Sequence, residues 1–175
     1  MAQREPSSGT HFRPHRSLYG HFPVRTMPES TAAAFLTGYP VMLDAVSTST
    51  HRIGEMTTLA ANIVGIAGER ASSVQDTQIP VYLAYPGVEF RGVLKGVALE
   101  SSHMGAIRSV AKDTTLNIYY VDGNTGVSTA GGLVEITDVT LPGNDIGDTN
   151  AEVGFVFAQK VTAFNHTLTV ASSIS

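Results

Sequence analysis

The sequence predicts an all-β fold, a barrel or sandwich body preceded by an extended N-terminal arm, and three observations carry that prediction. Short runs rich in Val, Ile, Tyr and Phe recur along the body at the spacing of a sandwich or barrel. Turn residues stand between them: Pro86-Gly87, Asp122-Gly123-Asn124, Gly131-Gly132 and Pro142-Gly143-Asn144-Asp145 supply a preset or positive φ. The first 28 residues hold four prolines, Pro6, Pro14, Pro23 and Pro28, which lock φ and remove donors, so that segment is expected extended or irregular.

Two parts follow, an arm at residues 1 to 28 and a β-rich body at residues 29 to 175. The arm carries Arg4, Arg13, Arg16 and Arg25 against a single acid, Glu5, while the body has seven basic and fourteen acidic residues. A cationic strap therefore precedes an acidic body. His11, His15 and His21 alternate there with Phe12, Leu18, Tyr19 and Phe22. Arginine and aromatic side chains are the types favoured at interface centres, so Phe12, Arg13, Arg16, Tyr19, Phe22 and Arg25 are the expected contact residues.

In the body the expected strands are residues 39 to 46, 62 to 68, 79 to 85, 88 to 99, 115 to 122, 132 to 141, 153 to 161 and 166 to 172. The stretch LVEITDVTL places Leu133, Glu135, Thr137, Val139 and Leu141 on one side at period two. Helix is expected only over residues 101 to 112, where Met104, Ile107 and Val110 recur at helical spacing and Ser102 can cap, with one short turn at residues 30 to 38. VDGNTGVSTAGG reads as a hairpin tip and LPGNDIGDTN as a second exposed loop. GIAGE at residue 65 and GVALE at residue 96 echo each other, which two short copies do not raise to a repeat.

Composition narrows the function. With no cysteine, thiolate nucleophiles, disulfides and Cys-based zinc sites drop out together. A net charge of −4 excludes a wholly basic nucleic-acid binder, and no direct nucleic-acid contact is expected. No apolar run approaches the roughly 18 residues of a membrane-spanning helix, and MAQREPSSGTHFRPHR lacks the apolar core of a secretory signal. The charged fraction of 15 % lies well below the usual roughly 25 %, as expected of an exterior covered by partner subunits.

Motifs for chemistry do not assemble. GIAGER lacks the spacing and the lysine of a phosphate loop, and Gly126-Val127-Ser128-Thr129-Ala130 lacks the second glycine of a nucleophile elbow. The three arm histidines do not converge in an extended segment, so no metal or cofactor is expected there. Asp138, Asp145, Asp148 and Glu152 are read as solvated loop acids, against a carboxylate pair or a calcium loop, since the EF-hand order is missing. No enzyme is expected.

Three stretches, GYPVMLDAVS, MTTLAANIVGIAGERASS and QIPVYLAYPGVEFRGVL, lie between about residues 33 and 99, and that region resembles the small bacteriophage capsid decoration, or cement, proteins. The resemblance covers about two fifths of the chain. It implies a homotrimer that is made in the host cytoplasm, sits on the outer capsid surface of the virion and binds the major capsid protein lattice, stabilising the head. The basic, proline-rich arm departs from the compact members of that family. Two other classes compete: a host-adhesion or carbohydrate-binding head-fibre module presenting Tyr82, Tyr85, Tyr119 and Tyr120, and a trimeric nucleotide hydrolase, for which nothing in the sequence selects.

Overall fold

In the segment IPVYLAYPGVEFRG two alternating strands flank Pro86-Gly87, yet they do not pair with each other. In the computed structural model, which describes residues 11–30, 33–44, 51–56, 62–124 and 133–158, that turn joins two separate sheets. On one side β6 (Gln78–Leu83) buries Ile79, Val81 and Leu83 in alternation. On the other, β7 (Val88–Lys95) buries Val88, Phe90, Val93 and Leu94.

The first sheet runs β2 (Val24–Pro28), β6, β5 (Ile63–Ala67), β3 (Pro40–Leu43), β4 (Ile53–Glu55). The second runs β7, β11 (Glu152–Phe157), β10 (Val134–Asp138), β8 (Ile107–Asp113), β9 (Ile118–Asp122), and a parallel pairing of β9 with the end of β7 closes it into a five-stranded barrel. β1 (Arg13–Ser17) lies outside that ring on the edge of β7.

The two five-strand units have one topology. Each orders its strands first, fifth, fourth, second, third, with antiparallel neighbours, and each joins third back to first in parallel, by the single bridge Glu29↔Ile53 in one and by Leu94↔Val121 in the other. Registers agree as well. Arg25↔Val81 corresponds to Phe90↔Phe155, Gly65↔Leu83 to Val134↔Phe157, Val41↔Gly65 to Arg108↔Val134, and Leu43↔Ile53 to Val110↔Val121.

Details outside the strands repeat too. Gly38 N–H donates to Ala67 C=O and Gly105 N–H to Ile136 C=O, both at 2.8 Å, and both glycines hold positive φ, +80° and +74°. Glu29 N–H meets Thr77 C=O as Leu94 N–H meets Ala151 C=O, each after a left-handed residue, Asp76 and Asn150. The chain is thus a tandem pair of one five-stranded unit. The short echo between residues 65 and 96 is not this repeat, because it sets β5 against the end of β7, positions with no common place in the unit.

One continuous apolar core runs through both units, from Phe35, Tyr39, Val41 and Ile53 to Phe90, Val134 and Phe155. A polar cluster links them. The Tyr119 hydroxyl lies 2.8 Å from both Glu55 Oε1 and the Met56 carbonyl, Lys112 Nζ pairs with Glu55 at 2.6 Å, and the Tyr39 and Tyr119 rings meet edge to face at 4.9 Å. Burial, then the hydrogen bond to and charge of Glu55, push the Tyr119 phenol far above its ordinary pKa.

Several expectations change. The helix over residues 101 to 112 is a 3-10 turn at Ser101–His103 followed by β8, since Gly105 in the left-handed region ends the turn and Ile107 and Val110 pair across a sheet. Glu100, not Ser102, caps that turn. Residues 33 to 38 make a tight turn without helix. β9 and β10 do not pair, so VDGNTGVSTAGG joins non-neighbouring strands, whereas the loop through residues 141 to 150 does connect paired strands, β10 and β11. The expected strand at residues 166 to 172 lies outside the described residues. β4 and β8 were not expected.

Candidate interaction surface

The stretch read as an arm is extended, and from residue 11 onward it belongs to the body. β1 completes the β7 edge beside β9, and β2 is the first strand of the first unit. Pro14 fits β1 because a strand on the rim of a sheet spares its missing N–H, and the register shifts just after it, between Pro14 and Arg16.

Phe12 is 2 % exposed, so it is not a contact residue for a partner. Its ring packs on Phe155 with centroids 4.9 Å apart and lies over Gly92, where a Cβ would come within 2.3 Å of Phe12 Cδ1. The register equates Gly92 with Met27 of the first unit. The strap thus inserts an aromatic ring where the second unit has no side chain of its own. On its way it crosses Gly38, whose missing Cβ makes room for His11 and the Phe12 carbonyl.

Two arginines are spoken for within the chain. Arg13 NH2 sits 2.8 and 2.9 Å from the two Glu152 oxygens. Arg16 holds Glu89 at 2.6 Å and Asp138 at 3.1 Å. The Glu89 hydrogen bond and charge raise the Arg16 pKa. Asp138 is pushed up by burial, but hydrogen bonds from Thr140 and the Arg16 charge outweigh this and hold it low. His15 between them is lowered, by burial first and then by Arg16 and Arg91.

The remaining three expected residues lie on the link from β1 to β2 and its continuation. Tyr19 is 52 % exposed and donates its hydroxyl to the Pro86 carbonyl at 2.8 Å. Phe22 is half-buried, edge-on to Tyr82 at 6.3 Å. Arg25 is exposed on β2 opposite Val81. Sequence reasoning left out two neighbours: Leu18 is 88 % exposed against Gly87, and Val24 is 52 % exposed beside Tyr82. Leu18 also lines a depression of about 440 Å³ with Arg16, Ser17, Gly87, Glu89 and Val156. The signal was present in the recurrence of Leu18, Tyr19, Phe22 and Val24 within seven residues, and nothing local distinguished these from Phe12.

Among the described residues the outer edge of β2 has no partner strand. Leu83 N–H donates to Pro23 C=O and Glu29 N–H to Thr77 C=O, so Pro23, Arg25, Met27 and Glu29 bond toward β6. By alternation Val24 and Thr26 aim their backbone groups the other way, where no described strand pairs. An apolar rim of Leu18, Tyr19 and Val24 therefore borders an unpaired strand edge with a cation, Arg25, upon it. Such an arrangement binds protein surfaces by apolar burial and main-chain pairing.

Tyr119, Asp138, Asp145, Asp148 and Glu152, which the sequence offered for chemistry, have structural partners. Tyr119 is buried in the cluster joining the units, which removes it from any glycan-binding set. Asp145 N–H is bonded by Asp148, and Glu152 by Arg13. Among the described residues no three His, Asp or Glu side chains converge as metal ligands, and no helix is long and apolar enough to cross a membrane. Comparison of the chain with protein-family models gives no match, and none of the curated proteins matches it.

Proposed function

We propose that the protein is a structural subunit that self-associates, as a homotrimer, and docks onto the outer face of a capsid lattice as a decoration protein. The observation that carries this reading is the exposed rim of Leu18, Tyr19 and Val24 beside the open edge of β2. Three large apolar side chains within seven residues, held on a two-unit body, are what a docking surface presents, and the low charged fraction of 15 % is consistent with an exterior meant to be covered. The contact set moves accordingly from the buried Phe12 and the internally paired Arg13 and Arg16 to Leu18, Tyr19, Phe22, Val24 and Arg25.

Deleting the whole arm would remove two strands and a core ring, so the test is made with substitutions at exposed positions. Leu18→Asp with Tyr19→Ala leaves the strands and core in place. Co-sedimentation with shells of major capsid protein should fall about tenfold or more for this variant, because chains that no longer cover one another's rim cannot seat on the lattice as one multivalent ring. Unchanged coating of shells by a variant with an unchanged melting temperature overturns the assignment.

A further inference from the structure

The repeat makes a comparison possible that neither unit allows alone. In the second unit the outer edge of β7 is filled: β1 pairs with it antiparallel over Val88–Arg91, at the outward-facing residues Glu89 and Arg91. The corresponding outward-facing residues of the first unit are Val24 and Thr26. Among the described residues one edge is thus displayed twice, once with a strand on it and once without. Pro28, the next outward-facing position after Thr26, has no N–H to offer, so pairing is limited to a short window, and β1, five residues long, is an occupant of that size.

We propose that the outer edge of β2 is a strand-acceptor site, and that the strand it takes comes from the C-terminal segment, residues 164 to 170, of a second copy of this chain. β11 ends at Phe157, and Val156 lines the same depression as Leu18, so the seventeen residues after Ala158 start beside the rim that borders β2. Seven extended residues span roughly 23 Å, more than the window requires. Their sequence alternates, with Phe164, His166, Leu168 and Val170 at even positions and Asn165, Thr167 and Thr169 at odd ones. Carried forward from the match of Leu83 with Phe157, Val88–Lys95 falls on residues 162 to 169, and Phe164 and Leu168 stand at the places of Phe90 and Leu94.

A second copy is the donor because Leu18, Tyr19 and Val24 form a rim wider than one strand covers, which a neighbouring body fills and a lone tail does not. In a closed ring each copy gives one strand and accepts one, so no edge is left free. This part of the inference rests on the reading of the chain as self-associating.

The absence of cysteine makes the test direct. Arg25 bonds toward β6, so it would face an added strand as a non-hydrogen-bonded pair, in which side chains stand closest. Full-length chains carrying Arg25→Cys with Asn165→Cys, His166→Cys or Thr167→Cys are oxidised and run on non-reducing gels, and the solution mass of the unaltered chain is measured alongside. The expected result is covalent multimers containing more than half the protein for one of the three pairs. A bond within a single chain, or none with any pair, overturns the proposal. If multimers persist in solution without such a bond, only the acceptor site falls; a single chain at every concentration overturns the self-association reading as well.

Discussion

The two units share strand order, closure and register, yet they solve the filling of their interiors differently. The first places Met27 on its leading strand and closes with one bridge, at a glutamate, Glu29, that is fully buried and bonded to the Ser72 N–H and hydroxyl at 2.8 Å. The second has Gly92 and Leu94 at those positions, borrows Phe12 from the strap, and closes with a longer pairing. One architecture therefore tolerates a polar closure or an apolar one, provided each buried group finds a partner. The borrowed strand also shields one edge, and on the corresponding edge of the other unit no described strand pairs. That asymmetry, more than any side-chain cluster, sets the two units apart among the described residues.

The comparison breaks most visibly at Phe12. Phe12→Ala should cost about 3–5 kcal/mol in urea unfolding, the range for removing a buried aromatic ring, and Gly92→Met in the same background should restore part of that loss by supplying the side chain the first unit uses. A Gly92→Met that further destabilises Phe12→Ala would mean the two positions are not equivalent. Next comes the closure. Glu29→Leu installs the residue of the second unit but strands the Ser72 N–H, while the Ser72 hydroxyl keeps Thr77 Oγ1 at 2.8 Å, and an expected loss of about 1–3 kcal/mol should be smaller for Glu29→Gln, which keeps an acceptor.

Tyr119→Phe tests the link between units, with an expected cost of about 1–2 kcal/mol for the lost hydroxyl contacts. It also has a pH signature. The phenol ionises later in the folded chain than in the unfolded one, so its contribution is complete below the ordinary tyrosine pKa of about 10 and declines as pH rises beyond it. Unfolding midpoints between pH 9 and 11, on the order of one unit either side of that value, should therefore fall more steeply for the unaltered protein than for Tyr119→Phe. The smallest effect is expected from Arg13→Ala, whose half-exposed pair with Glu152 should be worth about 0.2–1 kcal/mol and shrink with salt.

Much of the fold could be read from the chain in advance. β3, β5, β6, β7, β9, β10 and β11 fall where alternating Val, Ile, Phe and Tyr stand between turn residues. β8 was hidden because Met104, Ile107 and Val110 satisfy helical spacing by coincidence, and its pairing with β9 and β10 is a long-range fact. β1 and β2 were hidden because prolines and arginines disfavour strands in general but not on sheet edges. The repeat was invisible since its matched positions keep character and not identity: Ile79, Val81 and Leu83 answer to Val153, Phe155 and Phe157, while Gly38 with Gly105 and Ala84 with Ala158 are rare identical pairs. Of the expected contact residues, Tyr19, Phe22 and Arg25 lie on the rim and the open edge. Phe12 could not be told apart from them because the cavity that receives it depends on a glycine 80 residues away in sequence.

The account turns on copies of this chain covering one another's open edge and apolar rim. Light scattering on the purified full-length protein measures this most directly: a mass near three chains of 18.5 kDa, falling toward one chain when Leu18→Asp and Tyr19→Ala are combined, is the predicted result. A mass of one chain at every concentration, unchanged by those substitutions, would contradict it.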